Sequence, residues 1–333
     1  MNDTLTAIPG LKVGHWTNLE AATGCTVILC QEGAVAGVDV RGGAPGTREV
    51  ALLDPVCMVE KIHGLLLAGG SAYGLAAADG VMRWLEEHGV GYDVGIAKVP
   101  IVPAAILFDL PVGRADVRPD AYSGYAACVD ANEMPVLQGC VGAGTGATVG
   151  KMLGLRQAMK GGLGSACRTL SNGIIVAALV VVNAAGSIIN PQNGQVIAGA
   201  RLGDSAQLAD PHRLIEQTLG RDLTDVGFRG GNTTLAIVAT NAALSKSGCT
   251  KMAQMAHDGL ARSINPVHTN IDGDIVFALS HGTQKADVGL LGALAADVLA
   301  EAVVRGVQAA TSMYGLPCAG ELKTHVRLES RNS

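Results

Sequence analysis

The sequence predicts a mixed fold in which helices are layered over sheets, of either the α/β or the α+β class. Short apolar runs bounded by Gly and Asp alternate along the chain with longer segments of helical periodicity. The apolar runs are continuous, which is typical of sheets covered on both faces. No linker, low-complexity tract or internal repeat divides the 333 residues, so we predict one domain, 1–333.

The apolar runs predict five buried strands, because each run is rich in aliphatic side chains and is bounded by turn residues. The predicted strands are 27–30, 64–68, 174–182, 235–240 and 275–280. The longest run is far shorter than the ~20 residues of a membrane-spanning helix, so no such helix is expected.

Three helices are predicted from apolar residues at helical spacing. Residues 71–88 begin at Ser71 as N-cap and stop at Gly89. One face of this helix carries an apolar stripe, formed by Leu75, Ala78, Val81 and Leu85. Residues 249–264 have a similar stripe, and residues 287–313 are rich in alanine and leucine.

The composition excludes several classes of protein. The 45 glycines are roughly twice the usual share. Hydrophobic residues make up 48% of the chain and no Gly-X-Y period occurs, which excludes disorder and collagen. The net charge is −5 without a basic block, and the aromatic residues are only 2 Trp, 5 Tyr and 3 Phe. Neither nucleic acid nor a membrane is therefore expected as a partner.

The cysteines and the first residues indicate a cytoplasmic location. Eight cysteines are scattered without C-x-x-C pairs, and the N-terminus lacks the basic and apolar regions of a signal peptide. We therefore expect a soluble protein with free thiols in a reducing compartment.

Several motifs point to no cofactor. Residues 142–147 imitate a dinucleotide-binding loop, but no acid lies between Glu133 and Asp204 to hold a ribose. Lys151 is not followed by Ser or Thr, so the loop is no phosphate-binding Walker motif. No G-x-S-x-G elbow occurs. Three histidines lack the spacing of metal ligands: His257, His268 and His281. We expect neither a cofactor nor a metal.

The sequence GGNTTL, residues 230–235, delivers a threonine to the start of a predicted strand. Thr233 is an ordinary strand residue on local grounds. The same pattern is also compatible with self-cleavage at Asn232–Thr233, because the freed α-amine can then activate the threonine hydroxyl. The local pattern leaves both interpretations open.

GGNTTL resembles the cleavage site of the L-aminopeptidase/D-esterase/D-amidase family, which includes β-peptidyl aminopeptidases and the 6-aminohexanoate (nylon) oligomer endohydrolase. The resemblance extends over roughly residues 8–320. Further segments that look like the family's motifs are VRGGAPGTRE (40–49), LAGGSAYGL (67–75), VPIVPAAILFD (99–109), GAGTG (142–146), KGGLGS (160–165), PVHT (266–269) and DGD (272–274). This combination is specific to the family.

The resemblance implies an α+β fold, a four-layer αββα sandwich of the N-terminal-nucleophile-hydrolase type. It implies a precursor that cuts itself into chains 1–232 and 233–333, which stay together and assemble as an oligomer, commonly four such pairs. The implied reaction is hydrolysis of the amide or ester bonds of small amino-acid amides, peptides or ω-amino-acid oligomers.

The resemblance also implies roles for individual residues. Thr233 matches the nucleophile, Lys160 the active-site lysine and Asn183 the amide that donates to the oxyanion. Asp272 and Asp274 match the pair that orients the nucleophile, and two aspartates with a threonine favour the nylon-hydrolase branch. On local grounds these residues also fit a loop lysine, a strand-end amide and a turn.

Tyr125 matches a tyrosine of the family's substrate cleft, in a loosely aligned segment. Two alternatives to the hydrolase remain at this point. One is an N-acyltransferase of the ornithine acetyltransferase type, which also self-cleaves at a threonine. The other is a non-catalytic protein that keeps the fold.

Overall fold

Strands dominate the computed structural model, which describes residues 2–203, 205–219 and 231–322. The strands of the described chain are β1 (Lys12–Asn18), β2 (Thr23–Val40), β3 (Thr47–Arg48), β4 (Lys61–Ala68), β5 (Tyr92–Asp93), β6 (Lys98–Val99), β7 (Ala104–Ile106), β8 (Thr148–Val149), β9 (Met159–Lys160), β10 (Gly162–Thr169), β11 (Ile175–Asn183), β12 (Ser187–Ile189), β13 (Val196–Ala198), β14 (Thr233–Ala242), β15 (Ile264–Asn265) and β16 (Ile275–Gln284).

The helices of the described chain mostly begin at a side-chain cap. The α-helices are α1 (Ala77–Glu87), α2 (Ala121–Asp130), α3 (Pro211–Thr218), α4 (Lys246–Ser263) and α5 (Val288–Gln308). Short 3-10 helices are Leu5–Ala7, Val50–Leu53, Ser71–Ala76, Gly142–Gly144, Lys151–Leu153 and Leu155–Gln157. Asp120, Asp210, Ser245 and Asp287 each accept a hydrogen bond from a backbone N–H of the first helical turn.

Nine strands form one hydrogen-bonded sheet in the order β10-β11-β14-β16-β2-β4-β7-β3, with β1 paired to β2. β14 runs parallel to β16 and antiparallel to β11. The start of β14, the start of β16 and the end of β11 therefore lie at the same edge of the sheet. β12, β13 and β15 form a small separate sheet, and β5–β6 and β8–β9 are two-stranded pairs.

The large sheet folds over so that one face encloses a buried apolar layer between its two halves. Alternating side chains of β2, β4, β11, β14 and β16 form this layer, among them Ile28, Leu65, Leu179 and Phe277. The outer face of one half packs against α1 and α2, and that of the other against α4 and α5. The predicted mixed sandwich is thus confirmed, with layers in the order helices, sheet, sheet, helices.

All five predicted strands are confirmed within this sheet, as parts of β2, β4, β11, β14 and β16. Each strand continues beyond its predicted segment at one end or both, mostly through polar or small residues that apolar runs do not reveal, and β2 in particular spans Thr23–Val40. The glycine-rich segment 142–147, which the sequence did not support as a nucleotide loop, begins with the buried 3-10 helix Gly142–Gly144.

The three predicted helices are present with different ends. α4 begins at Lys246 because Ser245 caps the backbone N–H of Gly248, so the predicted start at 249 is too late. α5 ends at Gln308, five residues before the predicted end at 313. The chain turns there, since Met313 and Leu316 exchange two backbone hydrogen bonds.

Ser71 is wrong as the predicted N-cap of α1. Ser71 has a φ of 57°, and the residue at the N-cap position of α1 is Ala76, which has no capping side chain. The backbone N–H of Ser71 donates to the carbonyl of Leu107 at 3.0 Å, and a 3-10 helix runs from Ser71 to Ala76 before α1 begins. The predicted stop is confirmed, because Gly89 has a φ of 67° and donates to the carbonyl of Glu86.

All eight cysteines lie among the described residues, and none is in a disulfide. Within that part of the chain, no helix is both long and apolar enough to cross a membrane.

Phe277 provides a test of the buried layer between the two halves of the sheet, because it is 0% exposed there. We expect Phe277→Ala to lower the unfolding temperature by about 4–7 °C, which corresponds to the roughly 3–5 kcal/mol lost when a buried Phe becomes Ala in a chain of this size. Thermal unfolding followed by circular dichroism measures the shift. Ile96→Ala is the control, since Ile96 is 97% exposed, and equal shifts in the two variants would contradict the assigned core.

Candidate active site

Four of the predicted site residues meet at the sheet edge where β14 begins. Thr233 is the first residue of β14, and its register partner on β11 is Asn183, the last residue of that strand. Asp272 and Asp274 directly precede β16, the other neighbour of β14, and Asn232 forms a bridge with Asp272. All of these side chains are buried, and Thr233 is 4% exposed.

The hydroxyl of Thr233 points at the peptide bond that precedes it. Its Oγ1 donates to the carbonyl oxygen of Asn232 at 2.5 Å. The same carbonyl oxygen accepts the backbone N–H of Gly273 at 2.8 Å. The Asn232–Thr233 bond therefore has an adjacent hydroxyl and a fixed donor on its carbonyl oxygen, which is the arrangement that stabilises an oxyanion.

Gly231 requires the flexibility of glycine. Its φ is 108°, and a Cβ atom would lie 2.3 Å from the ring of Phe108. The chain thus enters the site in a conformation that other residues avoid, pressed against an aromatic ring. Gly230, the other glycine of the predicted cleavage motif, lies outside the described residues.

Asn183 is fully hydrogen-bonded in this uncut chain. Its Nδ2 donates to the carbonyls of Phe108 and Gly231, both at 3.2 Å. Its Oδ1 accepts from the backbone N–H of Thr148 at 3.0 Å and from Nζ of Lys151 at 3.0 Å. The amide therefore contacts the carbonyl one residue before that of Asn232.

Lys151 reaches the site, although the sequence analysis assigned it no role there. Its Nζ donates to the backbone carbonyl of Asn183 at 2.9 Å and to that of Gly231 at 3.4 Å. Burial lowers the pKa of Lys151 to about 7, with the nearby charge of Asp272 acting in the opposite direction. A neutral amine is thus accessible near neutral pH.

Lys160, the lysine implied by the family resemblance, bonds to a segment beside Asn183 rather than to Asn183 itself. It is 0% exposed, and its Nζ donates to the carbonyls of Thr145 and Ala147 at 2.8 and 2.7 Å. Burial lowers its pKa to about 8. Lys160 pairs with Thr148 across β8 and β9, so it supports the segment that contacts Asn183.

The two predicted aspartates are held by different partners. Asp272 accepts from the backbone N–H and the hydroxyl of Thr269. Asp274 Oδ1 accepts the backbone N–H of Thr234 at 2.6 Å, beside the candidate nucleophile. Asp274 Oδ2 accepts both the backbone N–H and Nδ1 of His268, at 3.0 and 2.9 Å. Asp274 therefore fixes the main chain that carries Thr233.

The two carboxyl groups differ in their surroundings. Burial raises the pKa of Asp272, and the charge of Asp274 raises it further. Asp274 accepts three hydrogen bonds, from the backbone N–H of Thr234 and from the backbone N–H and the ring of His268.

A glycine-containing segment covers the aspartates through its backbone. The N–H groups of Arg41 and Gly42 donate to the carbonyl of Asp274, and that of Ala44 donates to the carbonyl of Asp272. A Cβ on Gly42 would lie 2.3 Å from the carbonyl oxygen of Asp272, so only glycine allows this approach.

Tyr125 lies outside this cluster in the described chain. It is part of α2 on the outer helical layer, and its hydroxyl donates to Glu87 at 2.6 Å. The guanidinium of Arg83 lies 4.5 Å from its ring centre. The structure therefore brings together Thr233, Asn183 and the two aspartates, but not Tyr125.

Sequence reasoning missed two groups, Lys151 and the backbone N–H of Gly273. Lys151 lies in the acid-free span between Glu133 and Asp204, as do Lys160 and several arginines, and nothing in the pattern separates them. A backbone donor leaves no trace in side-chain identity. A glycine between two aspartates was the one available signal.

A family model and two known proteins match most of this chain. The model of peptidase family S58 matches residues 3–318. An uncharacterized aminopeptidase of Mycobacterium tuberculosis is 45% identical over 342 residues, which cover 95% of this chain and 96% of the relative. A 6-aminohexanoate-oligomer endohydrolase of Kocuria sp. is 31% identical over 313 residues, covering 90% and 84%.

The solved structure of the L-aminopeptidase D-Ala-esterase/amidase of Ochrobactrum anthropi shares the fold. It is described as a variant of the Ntn hydrolase fold, and it superposes with a TM-score of 0.73 at 19% identity. The superposition covers 99% of this chain and 95% of that chain.

The two buried lysines provide a test of the site's electrostatics. We expect two lysine side chains of the uncut chain to titrate near pH 7 and 8, because burial lowers the pKa of Lys151 to about 7 and that of Lys160 to about 8. NMR detection of the lysine side chains across pH 5–11 measures both titration midpoints. The spectra of Lys151→Met and Lys160→Met assign each signal to its residue. Midpoints near the ordinary 10.5 for both would contradict the described burial.

Proposed function

Because the chain belongs to peptidase family S58, we propose that it is a self-processing amidase or aminopeptidase whose nucleophile is Thr233. The family model and the aminopeptidase relatives identify the chain as an enzyme that hydrolyses peptide or amide bonds. The contact of the Thr233 hydroxyl with the carbonyl of Asn232 is the observation that carries the proposal.

In the self-cleavage step, Thr233 Oγ1 attacks the carbonyl carbon of Asn232. The C–N bond breaks, the hydroxyl proton passes to the departing nitrogen, and an ester joins Asn232 to Oγ1. The backbone N–H of Gly273 donates to the oxygen on which charge develops. Water then hydrolyses the ester and leaves a carboxylate on Asn232 and a free amine and hydroxyl on Thr233.

The two products, 1–232 and 233–333, would remain one folded unit. β14 and β16 belong to the second chain, and β11 and β2 of the first chain pair with them on either side. Their side chains share the buried layer between the two halves of the sheet. Separating the products would expose that layer to water, which is unfavourable.

Cleavage would also open the site. In the uncut chain Thr233 is 4% exposed, and the carbonyl of Gly231 occupies donors on Asn183 and Lys151. Withdrawal of the segment that ends at Asn232 frees those donors and lets a substrate carbonyl reach Oγ1. Asn183 can then stabilise the oxyanion, in the role that the family resemblance implies.

In the mature enzyme the α-amine of Thr233 takes the hydroxyl proton and later protonates the leaving amine. Asp274 lies beside it, because its Oδ1 accepts the next backbone N–H, that of Thr234. The acyl-enzyme is then hydrolysed by water. Every proton in this sequence is supplied by the nucleophile, its amine or water.

The proposed substrates are amides of small amino acids, peptides or ω-amino-acid oligomers. The match to a 6-aminohexanoate-oligomer endohydrolase supports the last class, and the aminopeptidase relative supports the first two. A panel of L-, D- and β-amino-acid p-nitroanilides with 6-aminohexanoate oligomers distinguishes these substrate classes.

We also propose that four cleaved pairs assemble into one oligomer and that the protein is cytoplasmic. Light scattering tests the number of pairs.

The nucleophile is tested by replacing adjacent threonines. We expect Thr233→Ala to abolish both self-cleavage and amide hydrolysis, and Thr233→Ser to retain part of each, because serine keeps the hydroxyl and the amine. Denaturing gels follow the two chains, and p-nitroaniline release follows turnover. Thr234→Val is the matched control, since the buried hydroxyl of Thr234 makes no hydrogen bond in the described structure.

Two outcomes would contradict this assignment. One is a Thr233→Ala protein that still separates into two chains or keeps full turnover. The other is a Thr234→Val protein that loses both properties while Thr233→Ala keeps them. Incubation with N-acetylornithine and glutamate tests the acyltransferase alternative, which predicts formation of N-acetylglutamate.

The two lysines give a second test. We expect Lys151→Met to lower both self-cleavage and turnover by about 100-fold, because Lys151 donates to Asn183 and Gly231. Lys160→Met is the matched buried control, and thermal unfolding of each variant shows whether the fold is retained. If Lys160→Met alone abolished activity in a folded protein, Lys160 would be the active-site lysine that the resemblance implies.

A further inference from the structure

A line of hydrogen-bonded groups runs from the buried carboxyl group of Asp274 through two histidines to Asp39. Asp274 Oδ2 contacts Nδ1 of His268 at 2.9 Å, and Nε2 of His268 lies 3.2 Å from Nδ1 of His257. Nε2 of His257 then lies 3.1 Å from the backbone carbonyl oxygen of Asp39. The spacing of these histidines along the chain did not indicate this arrangement.

Three separate elements hold these groups together. His257 is on α4 and is 0% exposed, His268 lies in the segment before β16, and Asp39 is near the end of β2. The charged groups facing the two rings are Asp274 and Asp39, with Arg41 paired to Asp39 at 2.9 Å. Asp272 and Lys151 lie next to Asp274 and contribute their charges.

The contacts fix the direction of the hydrogen bonds at His257. The carbonyl of Asp39 can only accept, so Nε2 of His257 donates to it. Burial lowers the pKa of His257 to about 4, so this ring is neutral at pH 7 and its Nδ1 accepts from Nε2 of His268.

His268 connects the neutral ring of His257 to Asp274. Of the three hydrogen bonds that Asp274 accepts, two come from the backbone N–H and the ring of His268. The third comes from the backbone N–H of Thr234, so the orientation of His268 bears directly on the main chain beside Thr233.

We propose that His268 and His257 are positioning residues, in which His257 fixes the ring of His268 and His268 in turn holds Asp274 oriented toward the main chain at Thr234. This inference rests on the proposed function of Thr233. With Oδ2 fixed by His268, Oδ1 stays directed at the N–H that follows the nucleophile. The amine released at Thr233 then meets an oriented carboxylate.

Two substitutions at His257 separate this role from simple packing. In His257→Gln the amide oxygen can accept from His268 and the amide nitrogen can donate to Asp39, so the direction of the hydrogen bonds is kept. His257→Leu fills the space but offers no acceptor to His268. A packing role predicts similar behaviour of the two variants, or better behaviour of leucine.

We expect His257→Leu to lower kcat about tenfold with little change in KM, the effect of losing one hydrogen bond that orients Asp274 through His268. His257→Gln should keep the kcat of the unsubstituted enzyme. Equal kcat values for the glutamine and leucine variants would overturn the proposal.

A second measurement does not depend on activity. Nitrogen-15 NMR of the histidine rings in Thr233→Ala should show His257 neutral at pH 7 and protonated on Nε2 only. Its Nδ1 signal should be shifted by the hydrogen bond from His268, and Thr233→Ala combined with His268→Phe should lose that shift. A His257 ring protonated on Nδ1 in the first spectrum would refute the inference even if Thr233 proves to be the nucleophile, whereas failure of Thr233 to cleave would leave this result unchanged.

Discussion

The position of β14 between β11 and β16 is the constraint on which the site depends. β14 is parallel to β16 and antiparallel to β11, so the beginning of two strands and the end of the third meet at one edge. That pairing brings Asn183, Thr233 and Asp272 together from distant parts of the sequence. It also places Thr233 where the strands on either side would hold both products after a cut.

Burial gives these polar groups their chemical character. Burial removes three side chains from water, those of Lys151, Asp272 and His257. It lowers the pKa of Lys151 and of His257 and raises that of Asp272, so it favours the neutral form of each group. Asp274 accepts three hydrogen bonds from two residues, Thr234 on β14 and His268 in the segment before β16. In the proposed mature enzyme, a carboxyl group held in this way is suited to orient the amine of Thr233.

Sequence alone predicted the strands well, because continuous aliphatic runs have few alternatives to a covered sheet. It failed at Ser71, where a backbone contact with Leu107 decided the conformation. The family resemblance supplied Thr233, Asn183 and the aspartates, which the structure brings together. It assigned the active-site lysine to Lys160 and gave no role to Lys151. It also did not link His257 to His268, because such contacts depend on which side chain reaches across neighbouring elements.

The many glycines of the chain have more than one role in the structure. Gly42 and Gly231 act at the site, where side chains would collide with Asp272 and Phe108. Other glycines of the motifs serve elsewhere: a Cβ on Gly69 would collide with the buried carboxylate of Asp109, and one on Gly142 with Thr26. Only some of the glycines in the family-like motifs therefore lie at the site. Their common property is close approach of the backbone to another buried group. Because the site stabilises its charges largely through backbone N–H groups, such as those of Gly273 and Thr234, that approach is what its chemistry requires.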